Sequence, residues 1–128
     1  MNVPNDRKYT ETHEWFLIDG DLVVMGITPF AAEALTDITY VEMPTVGTQV
    51  SAGGTIGEIE SVKATSEIFS AVDGEIVEVN TALADHPELI NDGALEDGWI
   101  VKIKPASLEP LESLLTAEDY ASLAAGAG

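Results

Sequence analysis

The 128-residue sequence contains no cysteine and only five basic residues against 23 acidic ones, which gives a formal net charge of −18 at pH 7. Without a thiol, the chain can form no disulfide, cysteine nucleophile or thiolate metal site. A charge of this sign opposes binding to phosphate backbones and anionic lipids, so we expect no nucleic-acid or membrane partner. No apolar run approaches the roughly 18 residues of a membrane span. The acidity itself favours solubility or adaptation to high salt over steering of basic partners.

The N-terminal stretch MNVPNDRKYTETHEW lacks the basic and then apolar order of a signal peptide and the arginine-rich character of a transit peptide. We therefore expect a cytoplasmic bacterial protein, with a mature mitochondrial form as the open alternative. A chain of this length supports one hydrophobic core, and no linker rich in proline, serine or glycine divides it. We expect a monomeric single domain over residues 1–128, with a β core at 8–104 and C-terminal helices at 107–124.

Short apolar runs rich in β-branched and aromatic residues dominate the chain from residue 17 to 104, which is typical of strands. GEIVEVN alternates as an antiparallel strand with one solvated face does. Pairs of turn-forming residues separate the runs and predict strand reversals. The pattern predicts a mainly β fold, a small barrel or sandwich. The runs are FLIDGDLVVMGI, DITYVEMP, TIGEIES, EIFSAV, GEIVEVN and WIVKIK, and the turn pairs are Asp19-Gly20, Val46-Gly47, Gly53-Gly54, Asp73-Gly74, Asp92-Gly93 and Asp97-Gly98.

Helical signals occur in two places. Thr28 can cap a helix and Pro29 suits its first position, so TPFAAEAL predicts one short internal helix. Beyond Pro105 the leucine spacing becomes helical, and Thr116 begins a capped last helix. The spaced leucines are Leu108, Leu111, Leu114 and Leu115.

The stretch GEIESVKATSEIFS contains Lys63, the single lysine or arginine between Tyr9 and Val101. Val62-Lys63-Ala64-Thr65 could turn one strand back on the next, which would place Lys63 at an exposed tip. A solvated surface lysine is the simplest interpretation of such a position. The flanking acids Glu60 and Glu67 favour the charged ammonium, whereas a Schiff-base lysine must be neutral. The isolation of Lys63 therefore favours an acceptor that another enzyme modifies.

The segment ESVKA at residues 60–64 resembles the modified hairpin of the glycine cleavage H-protein family. The resemblance extends in order and nearly without gaps over roughly residues 8–124. It implies a barrel-sandwich hybrid of the lipoyl and biotinyl type, with a short internal helix and C-terminal helices. The other matching segments are YTETHEW at 9–15, GITPFAAEALTDI at 26–38, VEMPTVGTQV at 41–50, GEIVEVN at 74–80, PELIN at 87–91 and GWIVKIK at 98–104.

The resemblance implies a non-catalytic carrier with lipoate in amide linkage to Lys63. Its implied partners are four enzymes. A pyridoxal-phosphate glycine decarboxylase loads an aminomethyl group, and a folate-dependent aminomethyltransferase removes its carbon and releases ammonia. Dihydrolipoyl dehydrogenase reoxidises the dithiol, and a lipoylating enzyme attaches the group.

Six further positions acquire a role through the same resemblance. Glu60, Gly47 and Gly74 match positions used by the lipoylating enzyme, although both glycines follow turn-forming residues and could simply need a positive φ. Thr12, Glu14 and Glu67 match the lining of a pocket that shelters the loaded arm. A carboxylate in such a pocket keeps an aminomethyl ammonium protonated. Glu67 replaces the usual aspartate of the family, and its extra methylene could displace the carboxylate.

Other site types and functions are less well supported. His13-Glu14 does not begin an HExxH motif, because Leu17 stands at the second histidine position, so we expect no metal site. Biotin carriage is disfavoured because Val62 and Ala64 flank the lysine where biotinyl hairpins usually have methionines. Two alternatives stay open: an H-like protein that relays lipoyl groups to other proteins, and a small β interaction module without a prosthetic group.

Overall fold

The computed structural model describes residues 3–127, and in this part of the chain nine short strands and five helices are present. In chain order they are β1 (Lys8–Tyr9), β2 (Glu14–Asp19), β3 (Leu22–Ile27), α1 (Pro29–Leu35), β4 (Ile38–Glu42), β5 (Gln49–Val50), β6 (Thr55–Ser61), β7 (Thr65–Phe69), β8 (Gly74–Val79), α2 (Ala82–Asp85), α3 (Glu88–Gly93), β9 (Val101–Pro105), α4 (Glu109–Glu112) and α5 (Ala117–Ala127). None of the helices in this part of the chain has the length and apolar composition to span a bilayer.

Two antiparallel sheets form the body of the protein. One has six strands in the order β1-β2-β3-β9-β8-β5, and the other has three in the order β4-β6-β7. Buried side chains of both sheets belong to one apolar cluster, including Met25 and Ile103 from the first sheet and Ile59 and Ile68 from the second. Burial of these faces stabilises the sandwich, since each such side chain contributes roughly 1.5–3 kcal/mol when removed from water. The prediction of a mainly β, barrel-sandwich fold is confirmed.

The predicted internal helix is present. The Thr28 hydroxyl accepts a hydrogen bond from the backbone N–H of Ala31 at 3.3 Å, and Pro29 occupies the first turn of α1. These contacts satisfy one of the free donors at the helix start, and Pro29 has no N–H to satisfy. Ala32 is the buried residue of α1, so the helix packs on the core through a small side chain.

Two helices between β8 and β9 were not predicted from the sequence. α2 has four residues and α3 has six, which is too short for a 3.6-residue periodicity to become visible. Leu83 and Ile90 are buried, so tertiary packing stabilises these turns. The predictions that Asp92-Gly93 and Asp97-Gly98 reverse a strand were wrong, because Gly93 is the last residue of α3 and Asp97-Gly98 lies between α3 and β9.

The last helix, α5, packs on the rest of the protein through Tyr120, and the residue before the helix forms a β-bridge. Tyr120 of α5 stacks on Tyr9 of β1, with ring centroids 4.9 Å apart. The Tyr120 hydroxyl also lies 2.7 Å from the Thr28 hydroxyl and 2.7 Å from Nδ1 of His13. Leu115 precedes α5 and bridges to Tyr9. These contacts fix the turn at residues 10–13, which leads directly into Glu14.

Candidate functional site

Lys63 lies at the tip of the β6–β7 hairpin and is exposed. The ladder closes at the Glu60–Thr65 pair, and Ser61 N–H donates to the carbonyl of Ala64 at 2.9 Å. The Ser61 hydroxyl oxygen accepts hydrogen bonds from the N–H groups of Lys63 (3.1 Å) and Ala64 (3.0 Å). Thr65 belongs to β7, so the turn is one residue shorter than the sequence indicated. The serine thus gives the tip a defined shape although the tip faces solvent.

The Lys63 ammonium group is oriented toward the end of α1. Its Nζ donates a hydrogen bond to the carbonyl of Ala34 at 3.3 Å. Carbonyl groups in the last turn of a helix lack intrahelical partners and attract cations. Within residues 3–127, no ion pair joins Lys63 to a carboxylate. The amine is therefore accessible and only loosely held.

Glu14 is the first residue of β2 and is 1% exposed. Its Oε1 accepts hydrogen bonds from the hydroxyl groups of Thr10 and Thr12, both at 2.5 Å, and its Oε2 accepts one from the backbone N–H of Phe69 at 3.3 Å. These bonds favour the ionised carboxylate, but burial is the larger effect and raises the pKa of Glu14. Such a buried carboxylate has a strong tendency to pair with a cation that enters its surroundings.

A cleft of about 450 Å³ opens beside Glu14. Its polar side contains the threonine-rich turn, and its apolar side includes Phe69 and Leu114. The lining combines the β1–β2 turn, the end of β7 and the α4 region, which are distant in sequence. The lining residues are Thr10, Thr12, Glu14, Gly53, Phe69, Ser70, Ala71, Pro110, Ser113 and Leu114.

The residues expected in the arm pocket are only partly brought together. Thr12 and Glu14 share a hydrogen bond and line the cleft. Glu67 is exposed and does not line it. Because side chains alternate along a strand, Glu67 shares the face of β7 with Thr65 and Phe69, between the hairpin tip and the cleft. The sequence analysis did not predict that Thr10, Phe69 and residues near α4 line the cleft. Of these, only Thr10 could have been found from the sequence, because it lies two positions before Thr12.

The three positions expected to serve the lipoylating enzyme lie in two regions. Glu60 is exposed in β6, opposite Thr65 and Tyr40. Gly47 and Gly74 lie at the β5–β8 edge of the six-stranded sheet. Gly47 has a φ of 95°, as expected, but the expectation of a positive φ was wrong for Gly74. At Gly74 a Cβ would instead clash with the carbonyl oxygen of Lys104. A backbone constraint therefore accounts for glycine at both positions without a role in enzyme recognition.

The comparison with protein families identifies the chain. The family described as glycine cleavage H-protein matches residues 7–126. The chain belongs to the glycine cleavage H-protein family. Within this family, the chain is 50% identical over 120 residues to a glycine cleavage system H protein of Thermus thermophilus, with 94% of each sequence covered. It is 45% identical over 123 residues to that of Geobacillus thermodenitrificans, covering 96% of this chain and 97% of the relative.

A solved structure supports the same membership in the H-protein family. The crystal structure of a glycine cleavage system H protein from Mycobacterium marinum superposes with a TM-score of 0.86 at 43% identity. The match covers 94% of this chain and 97% of the other. The barrel-sandwich fold and the family therefore rest on two independent kinds of similarity. Within residues 3–127, no group of three or more histidine, aspartate and glutamate side chains is arranged to hold a metal ion.

Proposed function

We propose that the chain is a lipoyl carrier of the glycine cleavage system, with lipoate in amide linkage to Nζ of Lys63. The exposed lysine at the tip of an ordered two-stranded hairpin carries the proposal. A modifying enzyme needs access to the amine and a defined backbone around it, and this hairpin provides both. On this proposal the chain carries the group between enzymes and does not itself catalyse a step.

The residues near Lys63 fit a lipoyl group. From Thr65 to Phe69 the strand covers about 13 Å at roughly 3.3 Å per residue. A lysine extended by a lipoyl chain has about ten single bonds and reaches on the order of 10 Å beyond the backbone. The two lengths are of the same order, so an arm folded back along β7 would extend toward the cleft beside Glu14. The apolar wall of the cleft at Phe69 and Leu114 suits a hydrocarbon chain. Once attached, the group would supply a disulfide whose S–S bond is reduced when one sulfur accepts the aminomethyl group, and the dithiol left after removal of the carbon would be reoxidised by dihydrolipoyl dehydrogenase.

Glu14 would protect the loaded arm. Its Oε2 has a single long hydrogen bond, from Phe69, and so retains capacity to accept another from a protonated amine. A charge-assisted hydrogen bond of this kind keeps the amine protonated. A protonated nitrogen has no free lone pair with which to expel the adjacent sulfur. Thr12 would orient the carboxylate, and the apolar wall would exclude water. Glu67 would contact the arm on its path along β7.

The proposed partners are the decarboxylase, the aminomethyltransferase, dihydrolipoyl dehydrogenase and the lipoylating enzyme. Each must reach the same hairpin, which is exposed and lies at the end of the smaller sheet. Recognition by the lipoylating enzyme is proposed for Glu60, which is exposed three residues before Lys63. Gly47 and Gly74 would contribute by shaping the β5–β8 edge. The cytoplasmic location and the monomeric state stay predictions.

Lipoylation in vitro tests the attachment site. The chain is incubated with a lipoate ligase, lipoate and ATP, and its intact mass is measured. We expect one lipoyl increment on the parent and on Lys104→Arg, a control at another exposed lysine, and none on Lys63→Arg. An increment on Lys63→Arg would contradict the proposal. Reconstitution of glycine cleavage with the partner enzymes then separates the carrier from a protein that only relays lipoyl groups.

A further inference from the structure

Asn91 in α3 spans a three-residue segment that lies more than fifty positions earlier in the chain. Its Nδ2 donates a hydrogen bond to the carbonyl of Thr36 at 2.6 Å, and its Oδ1 accepts one from the N–H of Ile38 at 3.0 Å. Both ends of the side-chain amide are therefore bonded to backbone. The residue between the two contacts is Asp37, whose backbone is fixed on each side.

The backbone of Asp37 in turn contacts the hairpin next to Lys63. Its carbonyl accepts a hydrogen bond from the N–H of Val62 at 3.0 Å, one residue before Lys63. The bonds between Ser61 and Ala64 set the shape of the tip, but they do not join it to the rest of the protein. Within the described chain, residues 62–64 make two hydrogen bonds to elements outside the hairpin. Val62 N–H donates to the carbonyl of Asp37, and Lys63 Nζ donates to the carbonyl of Ala34. The β4–β6 ladder ends at the Ile38–Ser61 pair, and the bond from Val62 to Asp37 extends it by one residue into the tip. Asp37 is thus the last backbone contact that orients the tip before Lys63.

The segment that Asn91 spans is strained, which is an independent observation. Thr36 has φ 63° and ψ −139°, a backbone region that a β-branched residue rarely adopts. Such a conformation persists only where surrounding contacts impose it. Two bonds do so here: Thr36 N–H donates to Glu33 O at 3.2 Å, and Asn91 binds the Thr36 carbonyl. Without Asn91 the turn would be free to relax and carry Asp37 with it.

We propose that Asn91 is a positioning residue for the reactions at Lys63, acting through the Asp37 carbonyl on the orientation of the hairpin tip. This inference rests on the proposed function, because it assumes that an enzyme acylates Lys63. Asn91 does not touch Lys63 and takes no part in the chemistry. Its effect is on the position of the Lys63 amine, and a displacement of a reacting atom by about 1 Å can lower a rate on the order of 100-fold.

The test uses Asn91→Ala, which removes both contacts, and Asn91→Asp, which keeps an acceptor for Ile38 but places a carboxylate oxygen against the Thr36 carbonyl. Asp92→Ala is the matched control, because Asp92 is the next residue of α3 and is also exposed. Two quantities are measured: amide hydrogen exchange of Val62 and Ile38 by NMR, and kcat/KM of a lipoate ligase with each variant as substrate.

For Asn91→Ala we expect Val62 and Ile38 to exchange about tenfold faster, as the loss of a typical hydrogen bond allows, and kcat/KM to fall by about the same factor. Asn91→Asp should retain more protection at Ile38, and Asp92→Ala should match the parent in both measurements. Unchanged exchange at Val62, or faster exchange with an unchanged kcat/KM, would overturn the positioning role. Failure of the parent chain to accept lipoate would instead overturn the proposed function itself.

Discussion

Glu14 and Phe69 join the two sheets at the cleft, because the backbone N–H of Phe69 in β7 donates to Oε2 of the Glu14 carboxylate in β2. This carboxylate, which is 1% exposed, is a structural contact between the sheets, and we propose that it also binds the cation of a loaded arm. Its two roles can be separated experimentally, since one is observed in the unloaded chain and the other requires a loaded arm.

Replacement of Glu14 by glutamine should accelerate the solvent loss of the aminomethyl group from the loaded, lipoylated chain by about tenfold. A neutral amide accepts a weaker hydrogen bond from an ammonium than a carboxylate does, and charge-assisted bonds are worth about 1.5–3 kcal/mol. Ammonia release over time, without partner enzymes, gives the rate. Glu11→Gln, an exposed acid in the same turn, is the control. Equal decay of the Glu14 variant and the parent would rule out protection by this carboxylate.

The stability of the unloaded chain should depend on pH through Glu14. Burial raises its pKa in the folded state, so the folded protein holds this proton more tightly than the unfolded chain. The resulting stabilisation is fully present below the unfolded pKa and is lost as pH rises through the folded pKa. Urea unfolding of the parent and of Glu14→Gln at several pH values measures it. The free energy of unfolding of the parent minus that of the variant should fall as pH rises from the unfolded to the folded pKa of Glu14. An increase of this difference with pH would contradict a raised pKa for Glu14.

Thr36→Gly should raise the free energy of unfolding by about 1 kcal/mol. Thr36 occupies a positive-φ conformation that costs on the order of 1–3 kcal/mol for a non-glycine residue, whereas glycine adopts it readily. The gain is reduced by the larger entropy of glycine in the unfolded chain. Thr39→Gly is a suitable control, because Thr39 lies within β4 and glycine weakens a strand interior. In thermal and urea unfolding, Thr36→Gly should be more stable than the parent and Thr39→Gly less stable.

The two glycines at the β5–β8 edge should differ in how they tolerate alanine. At Gly74 a Cβ would clash with the backbone carbonyl oxygen of Lys104, so Gly74→Ala must shift β9 and should cost about 1–3 kcal/mol. At Gly47 a Cβ meets open space, and the φ of 95° is the remaining penalty, about 1–2 kcal/mol. Denaturant unfolding measures both costs. Equal ligase rates for the folded variants would show that the glycines serve structure and not recognition.

Local patterns in the sequence were sufficient for much of the fold. The β-branched runs became strands, Thr28 and Pro29 began α1, and the lysine lies at a hairpin tip, because each depends on neighbours within a few residues. The short helices α2 and α3 escaped prediction for the opposite reason. Their turns are held by the burial of Leu83 and Ile90 against residues elsewhere in the chain.

The sequence by itself determined the strand order along the chain, the isolated Lys63 and the likeness to the H-protein family. Only the tertiary structure placed Phe69 and the α4 region around Glu14, left Glu67 on the exposed face, and brought Asn91 to Thr36. The hydrogen bonds from Phe69 to Glu14 and from Asn91 to Thr36 each join residues 55 positions apart, and the α4 region is still further from Glu14 in sequence. They follow from how two sheets and their helices pack in three dimensions, and no local spacing of residue types encodes that packing.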